Sequence, residues 1–113
     1  MVAAGAMKKR YILFRLNGQN IDQSKLKNAI TKEALRFFGE FGCSEAAIKL
    51  LAFDVKSSCG VLRCRRDYMD KVLGFLALVN SLDGSSARLV SLQCSGTLKS
   101  LEIPFELPST QSK

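Results

Sequence analysis

The stretch Ala46-Ala47-Ile48-Lys49-Leu50-Leu51-Ala52-Phe53-Asp54-Val55-Lys56-Ser57-Ser58-Cys59-Gly60-Val61-Leu62-Arg63-Cys64-Arg65 reads as two strands joined by a turn too short to hold a helix. Residues 46 to 55 form a largely apolar run, and residues 60 to 65 form a second. Consecutive strands with no crossover between them are antiparallel, which excludes a βαβ crossover at the centre of the chain.

Working outward, residues 10 to 16 alternate, with Ile12, Phe14 and Leu16 on one side and Tyr11, Leu13 and Arg15 on the other. After the turn Asn17-Gly18-Gln19-Asn20, Asp22 or Ser24 can cap a helix whose apolar positions Leu26, Ile30, Ala34, Phe37 and Phe41 recur at helical spacing. Gly39 or Gly42 is expected to end it, and Lys25, Lys32 and Arg36 make an outward, solvated stripe. Downstream of the central strands, Asp67 is placed to cap a second helix over Tyr68 to Asn80. Its core stripe is Tyr68, Val72, Phe75, Leu76 and Val79. Met69, Leu73 and Leu78 lie off that stripe, and an apolar surplus of this kind predicts a protein interface. Leu82 to Ser86 is a turn, and residues 87 to 93 form the last strand. The order strand, helix, strand, strand, helix, strand is the split βαβ pattern, an α+β class. It predicts a four-stranded antiparallel sheet with two helices on one face, as in ferredoxin-like and RNA-recognition-motif-like domains. Residues 8–103 are expected to form a single domain, with residues 1–7 and 104–113 as flexible termini.

The chain has 113 residues, 17 Lys and Arg against 10 Asp and Glu, and a net charge of +7, which favours a polyanionic partner such as nucleic acid. Placement sharpens this. Lys8, Lys9, Arg10 and Arg15 make one acid-free group, and Arg63, Arg65 and Arg66 make another. No window approaches the roughly 20 apolar residues of a membrane span, and a cytoplasmic location is expected. Cys43, Cys59, Cys64 and Cys94 lack CxxC spacing and the chain has no His, so reduced thiols are expected rather than a metal site. Without His or paired carboxylates there are no candidate catalytic residues. The stretch Ser58 to Arg65 carries no aromatic residue, unlike the base-stacking strand of an RNA-recognition motif. The sheet-face candidates Tyr11, Leu13, Leu51 and Phe53 suit another protein better than RNA.

Three blocks carry a resemblance: Lys8-Lys9-Arg10-Tyr11-Ile12-Leu13-Phe14, Gly60-Val61-Leu62-Arg63-Cys64-Arg65-Arg66, and Arg88-Leu89-Val90-Ser91-Leu92-Gln93-Cys94-Ser95-Gly96-Thr97-Leu98-Lys99. Together they resemble the ribonuclease P protein component 2 family, over roughly residues 8 to 101. Cys94 departs from the Val expected before Ser-Gly-Thr, and the stretch Ile103 to Leu107 replaces the basic extension of archaeal members. The long acidic tail of eukaryotic members is also missing, which points to an archaeal member.

The resemblance implies a non-catalytic subunit of ribonuclease P, whose RNA removes the 5′ leader of precursor tRNA with Mg²⁺. No cofactor is expected on this chain. It also implies ribonuclease P RNA and ribonuclease P protein component 3 as partners, and allows two copies of the chain to pair within a heterotetramer. The expected RNA-binding residues are Lys8, Lys9, Arg10, Arg15, Arg63, Arg65, Arg66, Ser95, Gly96, Thr97 and Lys99, acting on phosphates without reading sequence. Two rivals remain. A stand-alone RNA-binding module predicts tight RNA binding by the lone chain, and a dimeric ferredoxin-like ligand-binding domain predicts salt-insensitive binding of a small molecule.

Overall fold

A computed structural model describes residues 8–18 and 20–107. Of the segments expected to be flexible termini, residues 1–7 and the 108–113 part of 104–113 lie outside it, as does Gln19 of the first turn; residues 104–107 are described, with Phe105 packed against the sheet. The described elements are β1 (Lys9–Asn17), α1 (Gln23–Ala46), β2 (Lys49–Asp54), β3 (Cys59–Arg65), α2 (Met69–Leu78), a two-residue hairpin of β4 (Ser81–Leu82) and β5 (Ser85–Ser86), and β6 (Arg88–Ser95). The main sheet has the order β2-β3-β1-β6, with every neighbouring pair antiparallel. This is the split βαβ sandwich, with both helices packed on one sheet face. The turn expected at 82 to 86 contains the small β4–β5 hairpin.

The helix-side core follows from the alternation of β1. Ile12, Phe14 and Leu16 meet Leu26, Ile30 and Ala34 of α1 and Val72, Phe75 and Leu76 of α2, all buried. Each such large apolar side chain contributes about 1.5–3 kcal/mol on burial. On β2, simple alternation fails because the register slips between Leu50 and Ala52. The extra residue, Leu51, lets Leu50 and Phe53, three apart, both point to the helices. Phe53 therefore packs in the helix-side core, stacked 6.4 Å from Phe14, and is not on the open face that its spacing predicts. Gly60 makes this possible, since a Cβ there would lie 2.7 Å from the Phe14 ring.

Asp22 is the cap that α1 uses, its Oδ1 accepting from Lys25 N at 2.8 Å. Gly39 does not end the helix but breaks it, at φ 77° and ψ 172°, a conformation costly for any residue with a Cβ, and helical structure resumes to Ala46. The break re-aims the part of the helix that follows it. Leu26, Ile30 and Ala34 are buried, whereas Phe37 and Phe41 are exposed, Phe41 by 79%. Phe38 packs against the helix-side core with its ring 5.6 Å from Phe75, and the half-exposed Phe37 keeps its ring 5.4 Å from the same Phe75. Helical backbone through Ala46 also delays β2 to Lys49. Asp67 sits in a single 3₁₀ turn, Arg66–Tyr68, ahead of α2, and makes no cap bond.

The sheet's second face is covered by the chain itself. Leu13, Leu51, Cys59 and Val61 are buried under Leu101, with Leu98, Ile103, Phe105 and Tyr11 packed around them. Leu101 N bonds the Leu98 carbonyl at 3.1 Å, and Gln93 Oε1 on β6 holds Glu102 N at 2.7 Å, pinning the segment to the sheet. Leu13 and Leu51, which by sequence offer a surface for another protein, are occupied from within.

Candidate functional site

Sheet register brings the two basic groups together. Lys9 stands opposite Arg65 and Tyr11 opposite Arg63, while Arg66 N donates to the Lys8 carbonyl at 2.9 Å. Lys8, Lys9, Arg10, Arg63, Arg65 and Arg66 thus gather at one end of the sheet. Arg15 does not join them. It stands opposite Cys59, five residues along β1 from Arg10, about 16 Å at the rise of a strand, and its Nε bonds Asn17 Oδ1 at 3.3 Å.

Register also adds a residue that spacing along the chain could not supply. Lys49 of β2 stands opposite Arg63, so Lys49, Arg63, Tyr11 and Ser95 make one row across all four strands on one face. The next row is Ala52, Val61, Leu13 and Gln93, which lies under the C-terminal segment. Like charges directly opposite on a sheet are destabilising, and this end holds two such pairs, Lys9 with Arg65 and Lys49 with Arg63.

Only one of these pairs is relieved internally. The Arg65 guanidinium reaches the Glu45 carboxylate at 3.5 Å, the Glu45 backbone carbonyl at 3.4 Å and Asp67 at 4.0 Å. Arg65 therefore ties β3 to the end of α1 and to the 3₁₀ turn. Arg66 meets Asp67 only at 4.0 Å and is half exposed. The side chains of Lys8, Lys9, Lys49 and Arg63 make no hydrogen bond or ion pair with any described residue.

Ser95-Gly96-Thr97 closes the same end. Ser95 Oγ accepts from Thr97 N at 3.1 Å, and Thr97 Oγ1 lies 3.0 Å from Ser100 Oγ. Gly96 approaches Arg10 so closely that a Cβ would lie 3.1 Å from its Nη1. Lys99 is exposed in the following turn. The tripeptide is a hydroxyl-braced turn, and its own bonds engage much of its polar capacity.

Of the expected interface residues, Met69 and Leu73 are half-buried against the helix-side core and Leu78 is 66% exposed. Leu78 borders a groove of about 180 Å³ with Glu33, Arg36, Phe37, Phe75 and Val79. Phe37, half exposed beside Phe75, makes this surface more apolar than the spacing in α2 alone indicates.

The cysteines are free thiols, with Cys59 and Cys64 buried. Burial, with Cys94 adding and Arg10 opposing, pushes the Cys64 thiol up to about 11. Burial also raises Cys43 and Cys94. No group of three Cys, His, Asp or Glu able to hold a metal occurs among the described residues.

Residues 10–105 match the model of the Rpp14/Pop5 family. The chain belongs to that family. Its relatives include ribonuclease P protein component 2 of Pyrococcus furiosus, 36% identical over 99 residues that cover 87% of this chain and 82% of that protein. The protein of the same name from Archaeoglobus fulgidus is 37% identical, covering 81% of this chain and 83% of the relative. That from Methanocaldococcus jannaschii is 33% identical, covering 87% and 72%. In structure, the chain is similar to a chain in the cryo-EM structure of yeast ribonuclease MRP, with a TM-score of 0.69, 20% identity, and coverage of 88% of this chain and 82% of that one. At that identity the likeness speaks to the fold, and it matches the split βαβ sandwich.

Proposed function

We infer that this Rpp14/Pop5 family member is a non-catalytic protein subunit of ribonuclease P. The observation that carries the reading is the basic end of the sheet, in a chain whose relatives are ribonuclease P protein components. Lys8, Lys9, Lys49 and Arg63 converge there without a side-chain partner among the described residues, beside the half-exposed Arg66. The apolar sheet face that a ligand-binding dimer would use is filled by Leu98 to Phe105. The substrate of the holoenzyme is precursor tRNA, and its RNA carries the chemistry with Mg²⁺. This chain lowers the Mg²⁺ requirement by neutralising closely spaced phosphates. Its own residues supply no metal cradle in the described part.

A protein partner, ribonuclease P protein component 3, docks on the helix side, where Phe37 and Leu78 are exposed beside the groove. Two copies of the chain pair within a heterotetramer. No helix among the described residues is long and apolar enough to cross a membrane, and the assembly works in the cytoplasm.

The test is cleavage of precursor tRNA by the cognate RNA and component 3 across a Mg²⁺ series, with and without this chain. Cleavage at lower Mg²⁺ only when the chain is present supports the reading. Equal Mg²⁺ dependence in both arms overturns it.

A further inference from the structure

We propose that the row Lys49, Arg63, Tyr11 and Ser95 is a site for one unpaired RNA nucleotide, whose base stacks against Tyr11 and Arg63 while its flanking phosphates meet Lys9 and Lys49. The proposal rests on the RNA-subunit reading and narrows it from phosphate neutralisation to a defined single-stranded contact.

Four observations converge on this row. Tyr11 is the aromatic residue on the basic end of the sheet face, and its ring is half-buried at the border of the covered cluster, which fixes it as a platform. Arg63 is directly opposite, half-buried and without an acidic partner among the described residues, and a guanidinium offers a second planar surface for a base. Lys49 and Lys9, both exposed, flank these two groups and supply a positive charge on either side for the flanking phosphates. The like-charge pair Lys49–Arg63 is relieved by no described acid, so an anion on this row removes a repulsion that the sheet otherwise retains.

The C-terminal segment sets the size of the site. Leu98, Leu101, Ile103 and Phe105 occupy the rows beyond Tyr11, so no second base can stack along β1 toward Leu13. An RNA-recognition motif uses that central area for two or three bases. Here only the terminal row remains, which accommodates one. Arg65, tied to Glu45 and Asp67, is the bracket that holds the end of β3 and does not serve the nucleotide.

The experiment measures binding of the full chain to a short single-stranded RNA and to an RNA duplex of equal length at one salt concentration. Wild type binds the single strand more tightly. Tyr11→Leu weakens single-strand binding about 5- to 150-fold, the loss expected for one stacked base, and leaves duplex binding unchanged; Tyr11→Phe keeps both. Arg63→Lys, which preserves charge and leaves the packing of Tyr11 intact, weakens the single strand selectively. Tyr11→Leu and Arg63→Lys binding both RNAs as wild type does, or losing both equally, overturns the proposal, as does a wild type without single-strand preference. If Mg²⁺-dependent rescue of cleavage by wild type is intact in those cases, the nucleotide site fails alone. If that rescue is absent, the parent reading has failed.

Discussion

Arg63 and Arg65 are two residues apart on one strand, yet their environments give them opposite roles. Arg65 satisfies its guanidinium on Glu45 and Asp67, and Arg63 faces Lys49 unrelieved. Arg65→Gln is expected to lower stability by about 1 kcal/mol, the upper range for a partly exposed ion pair, and to spare the phosphate contacts. Arg63→Gln is expected to raise stability by about 0.2–1 kcal/mol at low salt while weakening RNA binding. Urea unfolding of both variants at two ionic strengths checks the contrast. Cys64 adds a pH dependence. Its proton is held more tightly in the folded chain than in the unfolded one, so its contribution to stability is complete below about pH 9 and is lost as pH rises toward 11. Cys64→Val should flatten the fall of the urea midpoint over that window.

Among the elements, β1 and α2 are legible in the sequence because period and burial agree along them, and the 56–59 turn separates β2 from β3 unambiguously. The misplacements arise where one residue breaks a period. Leu51 is inserted into β2 and carries Phe53 to the opposite face, and Gly39 breaks α1 ahead of Phe41, which is left exposed instead of extending the apolar stripe. Neither departure is visible to a template that assumes unbroken repetition. By sequence the segment after β6 is a family signature followed by a tail, although Leu98, Leu101, Ile103 and Phe105 carry an apolar pattern that needs a surface to pack on. Leu101→Ala is expected to cost about 2 kcal/mol, the low end for a buried leucine, because it lies at the margin of a small cluster. The urea midpoint should fall with little change in slope, whereas an unchanged midpoint would mean that the segment does not cover the sheet.

For the whole molecule, the candidate site is half legible in the sequence. Both basic groups are visible as runs along the chain, but their convergence depends on register, which pairs Lys9 with Arg65, recruits Lys49 from β2 and leaves Arg15 at the far end. Glu45 is equally invisible, since only the helical continuation past Gly39 brings it to Arg65. The proposed function requires RNA to be held at this one end of the sheet. Its sharpest test is the salt dependence of binding to ribonuclease P RNA for wild type, a Lys9→Gln/Lys49→Gln/Arg63→Gln variant and Arg15→Gln. The triple variant is expected to reduce the log–log salt slope by about 2–3, close to one unit for each phosphate no longer neutralised, while Arg15→Gln leaves it as in wild type. Equal slopes for wild type and the triple variant, or a reduction by Arg15→Gln as large per charge, would contradict the placement of RNA at this end.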